Sequence, residues 1–368
     1  MDALRTEMLP GLHVGDAEWR ALADRAAEPN AFHRPAFLRP AVRHLGPAAA
    51  CLTVRGGDGR LLALLPLSLS RTRGWTEVWT SPYAPDGTPL VDREAADAAI
   101  EAALARLAGP GMPALLRLPM LPRSGPVADA LRRALSRLGL DSRETRAHAR
   151  ACLRPEDPAA PGGGLRTKQR KEAARQLRRL AELGPASIAE ARDPGAVAVA
   201  LSTFLAVEGS GWKGRRGSAL ASREATARFA REAVGALARE GQARIVTLSC
   251  GASPAALGIL LGDSRRSWFW KIAYDEGLAR FSPGTQLSLA LAGMLHQIGG
   301  PSLTDSCAAA DHPMIDRVWR GRREFSDLLV ATRPGRTGLL ALAAAATATK
   351  DALKARARRL RGLLDARG

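Results

Sequence analysis

Two stretches of this chain, offset by roughly 190 residues, spell the same order of elements. In the first, apolar residues recur at helical spacing over 16–27 and 35–44. Strand-type runs follow at 49–55, 60–69 and 74–80, with GlyGlyAspGly at 56–59 as a turn. A helix at 93–108, a strand at 114–118, a helix at 126–138 and a strand at 143–153 complete it. In the second, helices at 195–208 and 222–240, the latter N-capped by Ser222, precede strands at 242–250, 255–262 and 267–275. GlyAlaSerPro (251–254) and AspSerArgArg (263–266) are the turns between them. A helix at 285–298, a strand at 301–306, a short helix at 312–318 and a strand at 325–332 close the second copy. Trp75 and Trp268 hold matching places on the third strands. A repeated order of strands and helices implies two α/β domains of one architecture.

The boundary between the copies is equally legible. A Pro-rich run, CLRPEDPAAP, leads into APGGGLRTKQR, and three successive glycines beside prolines mark a linker. Residues 165–183 then read as a basic amphipathic helix. The expected division is a domain over 1–155, a linker with its helix over 156–184, a second domain over 185–335 and a basic helix over 336–368. A chain of 368 residues exceeds the usual size of one core, which agrees with that division.

Cys51, Cys152, Cys250 and Cys307 lie far apart, without a CxxC pair, and suit a reducing compartment rather than a disulfide framework or a zinc site. The N-terminal segment lacks a basic start followed by an apolar core, and no run of about 18 apolar residues occurs, so a cytoplasmic location is expected. All but six of the 54 Lys and Arg residues are arginine, and the formal net charge is +18. The cations concentrate over 166–179 and 350–361, where they read either as solvated helix faces or as attraction for an anionic partner, a peripheral contact with an anionic membrane surface included. Two tyrosines and seven phenylalanines are too few for a single-stranded nucleic-acid platform. No GxSxG elbow, HExxH pair, P-loop or metal-ligand cluster is present, so no metal is expected.

The chemistry concentrates in KIAYDEGLARFSPGTQLSL (271–289). A strand ending at Tyr274, an acidic turn and a loop with Arg280, Ser282, Pro283 and Gly284 lead to a helix beginning near Thr285. Such an arrangement cradles anions: the first helical N–H groups lack partners inside the helix, and glycine lets a ligand approach the backbone. Ordinary helix capping reads the same way.

Four blocks carry a resemblance. LRTKQRKEAARQLRRL (165–180), EGSGWKG (208–214), FWKIAYDEGLARFSPG (269–284) and TDSCAAADHPMIDRVWRGRR (304–323) resemble the GNAT acyltransferases. They are most similar to the CelD/BcsL-like branch associated with cellulose and exopolysaccharide biosynthesis. The blocks keep the family's order over roughly residues 165–330, and the first 150 residues resemble it only generally. The resemblance implies tandem GNAT-like domains, each with a mixed central sheet flanked by helices. It implies acetyl-CoA or another acyl-CoA as co-substrate and N- or O-acylation of a saccharide or small metabolite. Arg280, Ser282, Pro283, Gly284 and Thr285 would hold the CoA phosphates. The matching loop of the first domain, SPYAPDGTPL, has no cation and carries Asp86, so that domain is expected to be degenerate and to help shape the acceptor pocket.

Acyl transfer from a thioester needs a held carbonyl, a polarised oxygen and removal of a proton from the acceptor. Glu208, ending a helix beside a glycine-bearing loop, is the first choice as base, or else a partner of Lys213. Asp305, at a strand end, is the second, and Tyr274 is the acid for the leaving thiolate. Trp212, Lys213, Lys271 and His312 are placed with the substrate. Lys271 and Tyr274 lie an odd number of residues apart and share a face only if a bulge intervenes. His312 with Asp316 spells HxxxD, which is also a helix cap. Three functions stay open: the acyl-CoA-dependent transferase, a transferase that takes its acyl group from aminoacyl-tRNA as the Fem-type enzymes do, and a non-catalytic GNAT-like scaffold.

Overall fold

The chain opens with a strand that periodicity does not announce. β1 (Arg5–Pro10), RTEMLP, carries two charges yet pairs antiparallel with β2 (Ala50–Arg55), whose apolar run supplies the register. The computed structural model describes residues 4–46, 50–70, 74–157, 164–297 and 301–365. Most of the glycine linker at 158–163 lies outside these residues. Among them the elements are α1 (Asp16–Arg25), α2 (Pro35–Leu45), β3 (Leu61–Ser70), β4 (Trp75–Val78), β5 (Leu90–Val91), α3 (Ala96–Leu107), β6 (Leu115–Pro122), α4 (Pro126–Arg137) and β7 (Ser142–Leu153). After the linker come α5 (Thr167–Ala181), β8 (Ala186–Ala191), α6 (Pro194–Ser210), α7 (Trp212–Arg215), α8 (Glu224–Arg239), β9 (Ala243–Cys250), β10 (Ser253–Gly262) and β11 (Ser267–Tyr274). They are followed by α9 (Pro283–Gln297), β12 (Thr304–Asp305), α10 (Ile315–Val318), β13 (Gly321–Ala331) and α11 (Thr337–Asp365). The fold is mixed α/β, with mixed sheet flanked by helices.

Contacts divide the chain into two units. One comprises Met1–Glu28, Ala48–His148 and Glu324–Gly368, the other Pro29–Pro47 and Ala149–Arg323. The first unit orders its strands β1-β2-β3-β4-β6 and ends on the Phe325–Ala331 part of β13. β4 and β6 run parallel, paired only through Thr76–Leu116 and Glu77–Arg117. In the second unit the order is β8-β9-β10-β11-β12, ending on Cys152 and Leu153 of β7. β11 and β12 run parallel there, paired only through Ser267–Thr304 and Trp268–Asp305. Both units therefore show four antiparallel strands, a parallel pair that parts after two residues, and a last strand taken from the other half of the chain.

Packing explains why the units depart from the order of the linker. Phe32 and Phe37, early in the chain, meet Trp268, Phe229 and Trp270 edge-to-face with ring centroids 5.2–5.9 Å apart. Arg34 pairs with Glu240, and Arg43 and His44 with Glu232, so α2 is tied to the region of α8. On the other sheet face, Phe269, Leu287, Leu291 and the fully buried Trp319 pack together. In the first unit, Leu52, Val54, Leu65, Ile100, Leu104, Leu118 and Leu131 form the core under α3 and α4. The loop over 81–90 turns in on itself there, where buried Asp86 Oδ1 accepts from the N–H and hydroxyl of Thr88. Ser222 falls in a 3-10 turn, and Arg223 takes the N-cap of α8.

Candidate active site

In the second unit, among the described residues, β11 has a partner on its β12 side only as far as Trp268. A bulge makes Trp270 the extra residue of β11 opposite β10, between Phe269 and Lys271. Beyond it the strand is regular. The Asp275 N–H donates to Ala255 O at 3.0 Å, so residues 273 and 275 face β10 and Ile272 turns its N–H and C=O to the opposite, open edge. A cavity of about 480 Å³ lies there, lined by residues from α6, α7, β11, the start of α9 and the segment before α10.

At one end of the cavity is the turn into α9. Ser282 is left-handed (φ 51°), and the helix starts at Pro283, two residues before the expected Thr285. The N–H groups of Thr285 and Gln286 both reach back to Ser282 O, at 2.9 and 3.1 Å. Pro283 has no N–H, which leaves the N–H of Gly284 as the open donor of this first turn among the described residues. Gly284 is buried, and a Cβ there would lie 3.5 Å from Ile272 Cδ1 and 3.6 Å from Tyr274 Cδ1, in ordinary contact. Ser282, Pro283, Gly284 and Thr285 line the cavity. Arg280 does not; it is exposed, with its guanidinium 4.7 Å from the centre of the Phe281 ring.

The other end is built on EGSGWKG. Gly214 lies so close to the backbone of Gly209 that a Cβ would overlap its carbonyl oxygen, and this tight return carries Lys213 over the open strand edge. Lys213 Nζ donates to Glu208 Oε1 at 3.0 Å and to Ile272 O at 2.7 Å. Glu208, only 4% exposed, accepts a second hydrogen bond at its other oxygen from the Leu220 N–H at 2.8 Å. Both carboxylate oxygens are thus engaged, and Glu208 holds Lys213 in place. Trp212 is half-exposed at the rim, with the Arg216 guanidinium 5.3 Å from its ring centre. Glu276, which the sequence did not single out, accepts from the Trp212 N–H and from Arg215. The Arg215 guanidinium and the Trp212 N–H hold its carboxyl below the usual carboxylate range.

Tyr274 shares the Gly284 face with Ile272 and lines the cavity. Because the bulge precedes Lys271, it does not bring Lys271 to that face. Lys271 Nζ sits 5.8 Å from the Trp270 ring centre, outside the cavity lining, and burial followed by the charge of Lys213 pushes its pKa down. Asp305 is also outside the lining: fully buried, it accepts from Arg150 at 3.2 Å and from the Cys307 N–H at 2.8 Å. His312 lines the cavity, and its Nδ1 accepts from the N–H groups of Met314 and Ile315 at 3.3 and 3.4 Å, which caps α10. In the neutral ring the proton then belongs on Nε2. Among the described residues no three His, Cys, Asp or Glu side chains are grouped to hold a metal ion, and no single helix is long and apolar enough to cross a membrane.

A strand that parts from its parallel neighbour, beside a helix start with an open N–H, agrees with the family comparison. Residues 167–312 match the family described as Acetyltransferase (GNAT) domain. Over this stretch the chain is similar to GNAT acetyltransferase domains. The match covers every cavity-lining residue except Met314. Among solved structures, FemX is similar over 88% of this chain and 97% of its own, at 10% identity and a TM-score of 0.56. The C-terminal domain of a putative lysylphosphatidylglycerol synthetase from Agrobacterium fabrum is similar over 90% and 97%, at 13% identity and a TM-score of 0.54. L-PGS from Bacillus licheniformis follows over 89% and 95%, at 11% identity and 0.52. At these identities the likeness is one of fold. No curated protein matches the chain.

Proposed function

We propose that the GNAT domain transfers an acyl group from acyl-CoA, acetyl-CoA first among the donors, to an amine or hydroxyl of a saccharide or small metabolite. The cavity carries this reading: its two ends offer different chemistry along one open strand edge. The Gly284 N–H and the positive end of α9 suit the donor's pyrophosphate, with Ser282 and Thr285 beside them. The Ile272 N–H, on the same open edge as the carbonyl that Lys213 engages, suits an amide-bearing chain lying along the edge. Tyr274, on the Gly284 face of the same edge, is our candidate for the acid that protonates a leaving thiolate, and at the far end Trp212 offers a flat face for a sugar ring or acceptor chain. A volume of about 480 Å³ falls within the range of small-molecule sites. With a donor of this kind the protein works in the cytoplasm, and polysaccharide biosynthesis is the context suggested by the CelD/BcsL resemblance.

A donor delivered as aminoacyl-tRNA is the second reading. It is favoured by the fold shared with FemX and by α5 with its N-cap, where Arg166, Lys168, Arg170, Lys171, Arg175, Arg178 and Arg179 are all exposed. α5 packs beside the donor end, with Gln286 Nε2 donating to Ala173 O at 2.8 Å. The same cations offer a peripheral contact to an anionic membrane. Isothermal titration with acetyl-CoA, CoA and bulk tRNA separates the donors. Micromolar binding of CoA, with tRNA binding that disappears at raised salt, supports the first reading. Salt-resistant tRNA binding without CoA binding overturns it.

A further inference from the structure

Among the described residues Lys213 is the one lysine or arginine that lines the cavity, and its hydrogen bonds account for two of its three donors. An ammonium carries three N–H groups. One goes to Glu208 Oε1 at 3.0 Å and one to Ile272 O at 2.7 Å; the third has no acceptor among the described residues. The side chain is still 25% exposed and lines the cavity, whereas the Glu208 side chain is 2% exposed. The two bonds hold the ammonium where the open edge of β11 meets the cavity. The Leu220 N–H anchors Glu208 from the opposite side at 2.8 Å, so the carboxylate cannot turn away. A fixed cation with one N–H still available beside the cavity is suited to an oxygen that gains charge during reaction.

We infer that Lys213 is the oxyanion donor of the acyl transfer and that Glu208 is its positioning residue. This rests on the acyltransferase reading above. The acceptor nitrogen attacks the thioester carbonyl carbon, a C–N bond forms, and the π pair moves onto oxygen beside Lys213 Nζ. Collapse restores C=O and breaks C–S, and the electron pair leaves on sulfur. The proton lost by nitrogen is balanced by the one gained by the thiol, so acyl thioester and amine become amide and free CoA. A hydroxyl acceptor gives an ester by the same count.

The test uses the full chain, acetyl-CoA as donor and hydroxylamine as a surrogate acceptor, with release of the CoA thiol as readout. Four proteins are compared: wild type, Lys213→Met, Glu208→Gln and the double variant. Lys213→Met leaves a buried carboxylate without its cation. The double variant removes both charges and keeps the measurement possible if the single one folds poorly. We expect kcat to fall roughly 100- to 1,000-fold in Lys213→Met and in the double variant, as for loss of one oxyanion donor. Acetyl-CoA affinity should stay within about threefold of wild type. Glu208→Gln should lose only about tenfold, because the amide oxygen still accepts from Lys213, and the double variant should be no worse than Lys213→Met. If Lys213→Met or the double variant keeps more than a tenth of wild-type kcat, Lys213 is not the donor and the acyltransferase reading stands. A double variant far below Lys213→Met, with Glu208→Gln alone equally crippled, makes Glu208 a base in its own right and overturns its positioning role. A wild type that binds acetyl-CoA but releases no thiol overturns the acyltransferase reading and this one with it.

Discussion

Gly284 allows the donor cradle to be perturbed apart from the fold. A Cβ at this position meets Ile272 Cδ1 at 3.5 Å and Tyr274 Cδ1 at 3.6 Å, ordinary contact distances, and φ is not positive. Gly284→Ala therefore costs the protein nothing sterically, and helix propensity adds up to about 0.5–1 kcal/mol. That amounts to a Tm unchanged or raised by roughly 1–4 °C. Valine extends two methyls about 1.5 Å beyond Cβ, and at least one must enter the space between the Tyr274 ring and the Gly284 N–H. If that N–H serves a phosphate, losing a charge-assisted bond costs roughly 1.5–3 kcal/mol, or about 10- to 150-fold in Kd. The assay pairs thermal unfolding with calorimetric titration of CoA. Gly284→Ala should melt like wild type and bind within a few-fold. Gly284→Val should melt within a few degrees of wild type and bind at least tenfold more weakly. A valine variant that binds CoA normally would falsify the cradle.

Two further outcomes follow from buried charges. Asp305→Asn leaves the Arg150 guanidinium, 1% exposed, without its carboxylate, so a loss of about 3–5 kcal/mol and a drop in Tm of roughly 6–20 °C are expected. Acetyl-CoA affinity should stay within threefold because Asp305 lies outside the cavity; a selective loss of turnover at unchanged Tm would return Asp305 to the chemistry. For Lys271, burial lowers the folded-state pKa below the ordinary lysine value of about 10.4. The charged form is thus disfavoured in the folded protein. Its cost is fully present below the folded pKa and disappears as pH rises towards 10.4. Lys271→Met should accordingly gain Tm over wild type at pH 7 by more than at pH 10, and a gain that does not shrink with pH shows that burial of the charge is not the cause.

How much of this was legible in the sequence depends on how far apart the cooperating residues lie. Periodicity is local, so most long helices and strands fall within a few residues of their expected bounds, as Pro126–Arg137 does against 126–138. Short or charged strands escaped it: Arg5–Pro10 and Ala186–Ala191 are strands because β2 and β9 offer them a ladder. The strand, loop and helix around Ser282 were readable for the same local reason, whereas the left-handed conformation of Ser282 itself was not. Tertiary structure alone decided the roles around them. Only the sheet register and the return of α7 bring Lys213 to Ile272, 59 residues away, and fold the Leu220 N–H onto Glu208. Only the strand β7 carries Arg150 to Asp305, 155 residues on, which turns a candidate site carboxylate into a buried ion pair. Sequence determines which residues are apolar, which turn and which are charged, because those properties belong to single residues and their neighbours. Which carboxylate meets which cation, and which donor is left facing a cavity, depends on registers set between distant segments, and those exist only once the chain has folded.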